Sequence, residues 1–94
     1  MAPWTRPTVA LYSRTGCEPC AEARTMLQDA LEDRAAAGEP VPAVQVVDVD
    51  GNPDLRARYG ALVPVLVAGA SELPLVTSGR RPRAFLAATL PRQA

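Results

Sequence analysis

The segment LYSRTGCEPC, residues 11–20, contains both cysteines of the chain, Cys17 and Cys20, with two residues between them. The run TVALY, residues 8–12, overlaps its start and predicts a strand buried on both faces. Three uses of the cysteine pair are open at this point: a redox dithiol, half of a metal site, or two unrelated buried thiols. The residues around the pair must decide among them.

A helix is predicted directly after the turn, over residues 18–37. Its apolar residues follow the spacing of one buried helical face: Ala23, Met26, Leu27, Ala30 and Leu31. Glu18 lies in the first turn, where a carboxylate interacts favourably with the helix dipole. Gly38 favours a left-handed cap and Pro40 cannot continue the helix, so the chain leaves the helix there.

A second unit of strand and helix follows. The run AVQVVDV, residues 43–49, has the apolar character of a strand buried on both faces. Residues 50–60 predict a short helix that Asn52 caps, Pro53 opens and Gly60 ends. Because a helix joins the first two strands, we expect them to be parallel, with a right-handed crossover.

The last third of the chain predicts a β-hairpin and a final helix. Residues 63–68 form the third strand, residues 69–72 a turn and residues 73–77 the fourth strand, so the last two strands are antiparallel. Pro74 cannot donate to a ladder, which puts the fourth strand at a sheet edge. The final helix lies within residues 78–90. The predicted fold is α/β, with the order β-α-β-α-β-β-α.

Size and composition indicate one folded domain over residues 1–94. Apolar residues make up 48% of the chain, which favours a packed core over disorder. Ten arginines balance ten acidic residues, and the chain has no lysine or histidine, so the basic excess typical of a nucleic-acid-binding protein is missing. We therefore expect no nucleic-acid partner, and we expect the domain to be a monomer.

No segment has the apolar length of a signal peptide or of a membrane span, which needs about 18 consecutive apolar residues. We therefore expect a cytoplasmic protein without a membrane partner. Structural disulfides are rare in the cytoplasm, so a close cysteine pair there is more often catalytic or metal-binding.

The positions of the two cysteines favour a redox dithiol. Cys17 falls where the chain enters the helix, and the free N–H groups and the positive end of the dipole stabilise a thiolate there. Cys20 shares the apolar face of the helix, so an exposed attacking thiol and a buried partner are expected. A zinc site normally needs four ligands, and this chain offers one pair and no histidine. Two inert thiols remain an alternative, although inert thiols are normally buried in apolar surroundings.

Three segments, LYSRTGCEPC (residues 11–20), VDVDGNPDLRARYG (residues 47–60) and VPVL (residues 63–66), resemble the glutaredoxin-like branch of the thioredoxin fold. The resemblance covers residues 8–68, with a weaker fit toward the C-terminus. It implies a four-stranded mixed sheet of order 2-1-3-4 with three helices on its two faces. It also implies a thiol–disulfide oxidoreductase without a metal or organic cofactor. Its partners would be a disulfide-containing protein or a low-molecular-weight thiol.

The same resemblance assigns roles to five residues. Cys17 is implied as the nucleophile and Cys20 as the resolving thiol. Val63 and Pro64 match the cis-proline element of the family, where the backbone pairs with substrate as an added strand does. Arg14 matches a basic position that contacts the carboxylates of glutathione in glutaredoxins.

The sequence departs from the family in a way that bears on its substrates. Glutaredoxins have an acidic turn after the fourth strand that holds the amino group of glutathione, whereas this chain has Arg80, Arg81 and Arg83 there. Because like charges repel at such a contact, we expect glutathione mixed disulfides to be poor substrates. The alternative to an enzyme is a thioredoxin-fold binding module that holds a partner beside Pro64 and uses the cysteine pair as a redox sensor.

Overall fold

The computed structural model describes residues 8–74 and 80–89. Within these residues, four strands and three α-helices follow one another in the predicted order. The strands are β1 (Thr8–Ser13), β2 (Ala43–Asp48), β3 (Val65–Ala68) and β4 (Ser71–Leu73). The helices are α1 (Glu18–Ala36), α2 (Pro53–Tyr59) and α3 (Arg80–Thr89), and a 3₁₀ turn at Val49–Gly51 precedes α2.

The four strands form one mixed sheet in the order β2-β1-β3-β4. β1 is parallel to β2, with Thr8 opposite Ala43 and Ser13 opposite Asp48. β3 is antiparallel to both β1 and β4. The thioredoxin-like sheet order is therefore confirmed, as are the parallel first pair and the antiparallel last pair of strands.

The prediction that the second strand is buried on both faces is wrong. β2 lies at an edge of the sheet, and the side chains of Val44 and Val46 are 38% and 41% exposed. An apolar composition suits an edge strand as well as a central one, because β propensity does not reveal which neighbours a strand has. β2 therefore adds less to the core than its sequence predicts.

The fourth strand begins earlier than predicted. It covers Ser71–Leu73, and Ser71 pairs with Ala68 across a tight turn in which Gly69 has a φ of +61°. The positive φ of the glycine lets the chain reverse at once, so Ser71 and Glu72 belong to the strand and not to the turn. Pro74 follows the last paired residue and cannot donate a ladder hydrogen bond. Residues 75–77 of the predicted strand lie outside the described residues.

One face of the sheet packs against α1 and α3. The predicted apolar face of α1 contributes to this core, and Met26 packs against it from a partly buried position. The buried members of the core are Val9, Leu11, Ala23, Leu27, Ala30, Leu31, Leu66, Ala68 and Leu86. This packing fixes the axis of α1 and therefore the position of its first turn, where the cysteines lie.

The opposite face of the sheet packs against α2 around Tyr59. The Tyr59 ring stacks on Tyr12 of β1, with 4.6 Å between the ring centroids and 13° between the planes. Its hydroxyl donates a 2.6 Å hydrogen bond to Glu72 of β4, and Arg58 contacts the same carboxylate at 3.0 Å. The hydrogen bond to Glu72, followed by burial, raises the pKa of Tyr59. α2 is thereby attached to two strands of the sheet.

The helix α2 begins and ends as predicted. The Asn52 side chain accepts hydrogen bonds from the backbone N–H groups of Asp54 and Leu55, at 2.9 and 3.2 Å. Gly60 follows the last helical residue, and a Cβ added there would lie 2.5 Å from the carbonyl oxygen of Arg56. The close approach of the backbone at this helix end therefore requires glycine.

Candidate active site

The turn between β1 and α1 brings Cys17 to the start of the helix. The Cys17 N–H donates to the carbonyl oxygen of Arg14 across this turn, at 3.4 Å. Gly16 has a φ of +74°, a conformation that residues with a Cβ rarely adopt. Cys17 itself has extended backbone angles and occupies the N-cap position of α1. The predicted place of Cys17 at the entry to the helix is therefore confirmed.

A disulfide bond joins Cys17 and Cys20, whose Cα atoms are 5.2 Å apart. Cys17 is partly exposed, whereas Cys20 is 3% exposed and lies on the same buried face of α1 as Ala23 and Leu27. An external sulfur atom can therefore reach Cys17 more easily than Cys20. The expected pair of an accessible thiol and a buried one is present in this geometry.

The backbone at the start of α1 supplies a hydrogen-bond donor to the Cys17 sulfur. The Cys17 sulfur accepts the Cys20 N–H at 3.2 Å, which is the hydrogen bond that an N-cap side chain makes with the third residue of a helix. Pro19 has no N–H at the second helical position, so Cys20 supplies the donor. A donor at the positive end of the helix dipole favours a thiolate over a thiol. The arrangement therefore suits Cys17 both as a nucleophile and as a leaving group.

The Val63–Pro64 peptide bond is cis, as the resemblance implied. The next residue, Val65, lies opposite Tyr12 of β1, so Pro64 is at the same end of the sheet as the turn that carries the disulfide. Pro64 is fully buried, and the N–H of partly exposed Val63 donates to the carbonyl oxygen of Tyr59 at 3.0 Å. The amide hydrogen of Val63 therefore already has a partner inside the chain.

Arg14 contacts an acid of the same domain. Its Nε and Nη2 atoms donate to the two carboxylate oxygens of Asp50, at 3.0 and 2.9 Å, and Nη1 donates to the carbonyl oxygen of Gly60 at 3.3 Å. The hydrogen bond to Asp50, followed by the charge of this carboxylate, raises the pKa of Arg14. The side chains of Arg14 and Asp50 are 41% and 34% exposed, so the ion pair is open to solvent.

Two acids that were not predicted as site residues, Asp48 and Asp50, lie beside the turn. The Thr15 hydroxyl donates to Asp48 at 3.1 Å, and Asp48 also accepts the Asp50 N–H at 2.9 Å. A signal for this contact was present in the predicted topology, because residues that follow neighbouring parallel strands meet at one edge of the sheet. Asp48 ends β2 directly opposite Ser13, which ends β1.

A family model described as Glutaredoxin-like domain (DUF836) matches residues 8–87. This range contains the cysteine pair, the cis-proline and every strand described above. The chain belongs to this family. No curated protein matches the chain significantly.

Two solved structures are similar to this glutaredoxin-like domain. One is the Northeast Structural Genomics target protein XcR50 from X. campestris, which is 32% identical over 85% of this chain and 96% of its own, with a TM-score of 0.64. The other is described as a malarial protein and is 15% identical over 93% of this chain and 100% of its own, with a TM-score of 0.63. The second similarity shows the fold alone.

The structure locates one of the three arginines that replace the acidic turn. Arg83 donates to the carboxylate of Asp33 through Nη2 and Nε, at 2.6 and 3.0 Å. Asp33 lies near the far end of α1, about 20 Å along its axis from Cys20 at a rise of about 1.5 Å per residue. Arg83 is therefore bound away from the disulfide. The side chains of Arg80 and Arg81 lie outside the described residues, so their repulsion of a glutathione amino group stays a prediction.

Among the residues that the structure describes, no group of three or more His, Cys, Asp or Glu side chains could hold a metal ion. No helix within residues 8–74 and 80–89 is long and apolar enough to cross a membrane.

What the site can do chemically follows from its disulfide. An external thiolate can open this bond at Cys17, and Cys20 can close it again.

In the reduced domain, we expect iodoacetamide to modify Cys17 at least about tenfold faster than Cys20 at neutral pH. Cys17 is partly exposed and its sulfur has an N–H donor, whereas Cys20 is 3% exposed. Mass spectrometry of peptides after brief labelling measures both rates. In denaturant, where these differences vanish, the two rates should converge. Faster labelling of Cys20 in the folded domain would overturn the assignment of the nucleophile.

Proposed function

We propose that this glutaredoxin-like domain is a thiol–disulfide oxidoreductase that works through Cys17 and Cys20. The observation that supports this most strongly is the disulfide at the N-cap of α1, whose more accessible sulfur accepts the Cys20 N–H. The same hydrogen bond would stabilise the Cys17 thiolate in the reduced state, at the atom that must attack. Membership of a glutaredoxin-like family supports the same chemistry.

The reaction proceeds in two exchange steps. The Cys17 thiolate attacks one sulfur of a substrate disulfide, so a bond forms between Cys17 and the substrate while the other substrate sulfur leaves as a thiolate and takes up a proton. Cys20 then loses its proton and attacks Cys17, which releases the first substrate sulfur and closes the Cys17–Cys20 bond. The substrate gains two electrons and the protein dithiol loses them. An external thiol restores the dithiol by the reverse exchange.

We further propose that the substrate approaches the end of the sheet where Val63 and Pro64 lie. In such an addition of a strand, the Val63 carbonyl would accept a hydrogen bond from the substrate backbone, whereas the Val63 N–H already donates to the Tyr59 carbonyl oxygen. Suitable substrates are a disulfide-containing protein or a low-molecular-weight thiol in its oxidised form. The cytoplasm, where reducing thiols are abundant, would regenerate the dithiol. The domain would act as a monomer.

The test is to trap the mixed disulfide with the Cys20→Ser variant. Without Cys20, an adduct between Cys17 and a disulfide substrate such as insulin cannot be resolved, so it should accumulate and be released by dithiothreitol. Non-reducing gels and intact mass measure it. Cys17→Ser is the matched control, because it also keeps one cysteine but at the buried position. Equal adduct yields in the two variants, or none in either, would contradict the proposal and favour the binding module.

A further inference from the structure

The guanidinium of Arg14 is the cation of the turn that carries the reactive sulfur. The Cys17 N–H donates to the Arg14 carbonyl oxygen, so the Arg14 backbone lies against the first residue of the disulfide. Because this turn holds Arg14 three residues before Cys17, the charge of its side chain adds to the field that an approaching carboxylate-bearing thiol or disulfide meets. Asp50 already accepts from Nε and Nη2, in the bidentate geometry that such a carboxylate would use. An incoming carboxylate must therefore displace Asp50 to bind in that way.

The backbone of Asp50 is held at the turn by a second acid, Asp48. Its N–H donates to one oxygen of Asp48, and the other Asp48 oxygen accepts the Thr15 hydroxyl. Asp48 also lies close enough to Arg14 to contribute to the raised pKa of its guanidinium. Two carboxylates therefore face one guanidinium at this turn. The balance of their charges repels an anion and favours a neutral or cationic group.

We propose that Asp50 determines substrate specificity by closing Arg14 to carboxylate-bearing thiols and disulfides, so that the Cys17–Cys20 site prefers neutral or cationic ones. This inference rests on the proposed thiol–disulfide exchange and deepens it by naming the substrate class. Asp50 acts through Arg14 and not on the sulfur atoms. It is therefore a positioning residue and not a catalytic one.

The test is the rate at which small thiols open the disulfide of the full chain. The thiolate forms a bond to Cys17 while Cys20 leaves as a thiolate, and a second thiol then frees Cys17 and departs in a disulfide with the first. Three probes differ in charge: 3-mercaptopropionate has a carboxylate, 2-mercaptoethanol is neutral and cysteamine has an ammonium group. Each variant's rate is divided by the native rate for the same thiol, which removes the intrinsic reactivity of the probe.

Asp50→Asn removes the charge of this side chain while keeping its size and one acceptor oxygen. We expect it to speed the reaction of 3-mercaptopropionate, relative to 2-mercaptoethanol, about two- to fivefold, the size expected of an exposed ion pair. The reaction of cysteamine with this variant should become slower relative to that of 2-mercaptoethanol. Asp50→Glu, which retains a carboxylate, should bring the ratios back toward native values. At an ionic strength of about 0.5 M, the relative rate increase of 3-mercaptopropionate should be smaller, because salt screens exposed charges.

Two controls decide whether the effect runs through Arg14. In an Arg14→Gln background, Asp50→Asn should give less than half of the gain, since no guanidinium remains to be released. Asp29→Asn removes an exposed acid about 18 Å along α1 from Cys17 and should leave the ratios unchanged. Equal ratios for the three thiols in Asp50→Asn, or the same gain with and without Arg14, would overturn the proposal. Circular dichroism checks folding, and Asp50→Ala replaces Asp50→Asn if that variant does not fold.

These rates separate the role of Asp50 from catalysis. They measure how fast small thiols attack the chain's own disulfide. The preference among thiols of different charge can therefore be measured whether or not Cys20→Ser traps a substrate. Discrimination without trapping would contradict the oxidoreductase proposal and leave the effect of Asp50 on thiols intact. If Cys20→Ser traps a substrate but the three thiols show no difference by charge, the oxidoreductase proposal is supported and the proposed role of Asp50 is overturned.

Discussion

Replacing Cys17 with serine is expected to abolish disulfide exchange, lowering the rate of insulin reduction at least about a hundredfold. Serine is itself a good N-cap residue, so the start of α1 should stay folded. Its hydroxyl, however, is not ionised at neutral pH and cannot form the mixed disulfide on which exchange depends. The measurement is the turbidity of reduced insulin with a limiting supply of dithiothreitol, compared with the reaction of dithiothreitol alone.

The matched variant is Cys20→Ser, which loses the buried partner and keeps the accessible nucleophile. Reduced and then freed of dithiothreitol, it should complete the first exchange once and stop at the mixed disulfide, giving a stoichiometric burst of released substrate thiol. The contrast between no burst and a single burst assigns the two steps to the two sulfurs. A Cys17→Ser chain that reduced insulin at the native rate would show that turnover does not depend on this sulfur.

The cysteine pair and the elements on either side of it could be predicted from the sequence, because their structure depends on residues that are close along the chain. The strand before Cys17, the helix after it and the apolar spacing that includes Cys20 are all encoded within residues 8–31. Those signals were enough to predict an accessible first thiol and a buried second one, and the structure confirms this exposure pattern. The cis bond before Pro64 followed from the family resemblance alone, since most X-Pro bonds are trans.

The long-range half of the site could not be predicted in the same way. The ion pair of Arg14 and Asp50 joins residues that are 36 positions apart, and it depends on the register of β1 against β2. The composition of β2 alone likewise predicts burial on both faces, and only the sheet order implied by the family resemblance places this strand at an edge. The predicted topology places the ends of β1 and β2 side by side. It does not predict the side-chain rotamers that bring the charges of Arg14 and Asp50 into contact.

Truncating Leu66 to alanine is expected to destabilise the domain by about 2–5 kcal/mol, out of a total that is typically about 5–15 kcal/mol. Leu66 is 1% exposed in β3, opposite Leu11 on one neighbouring strand and Leu73 on the other. It belongs to the core that also includes Leu27 of α1 and Leu86 of α3, so a cavity there would lose contacts with the sheet and with the helix layer. Urea denaturation of the oxidised chain measures the loss.

The control for Leu66→Ala is Val46→Ala, which also shortens an apolar strand residue but at an exposed position. Val46 is 41% exposed on the edge strand β2, so its truncation leaves no closed cavity and should cost less than about 1 kcal/mol. The difference between the two variants isolates burial from β propensity. If both changes shifted the urea midpoint equally, then either β2 is covered in solution or the core on this face of the sheet is not packed around Leu66. The accessibility of the Val46 side chain to a reagent in solution would decide between these two explanations, since a covered β2 would be protected.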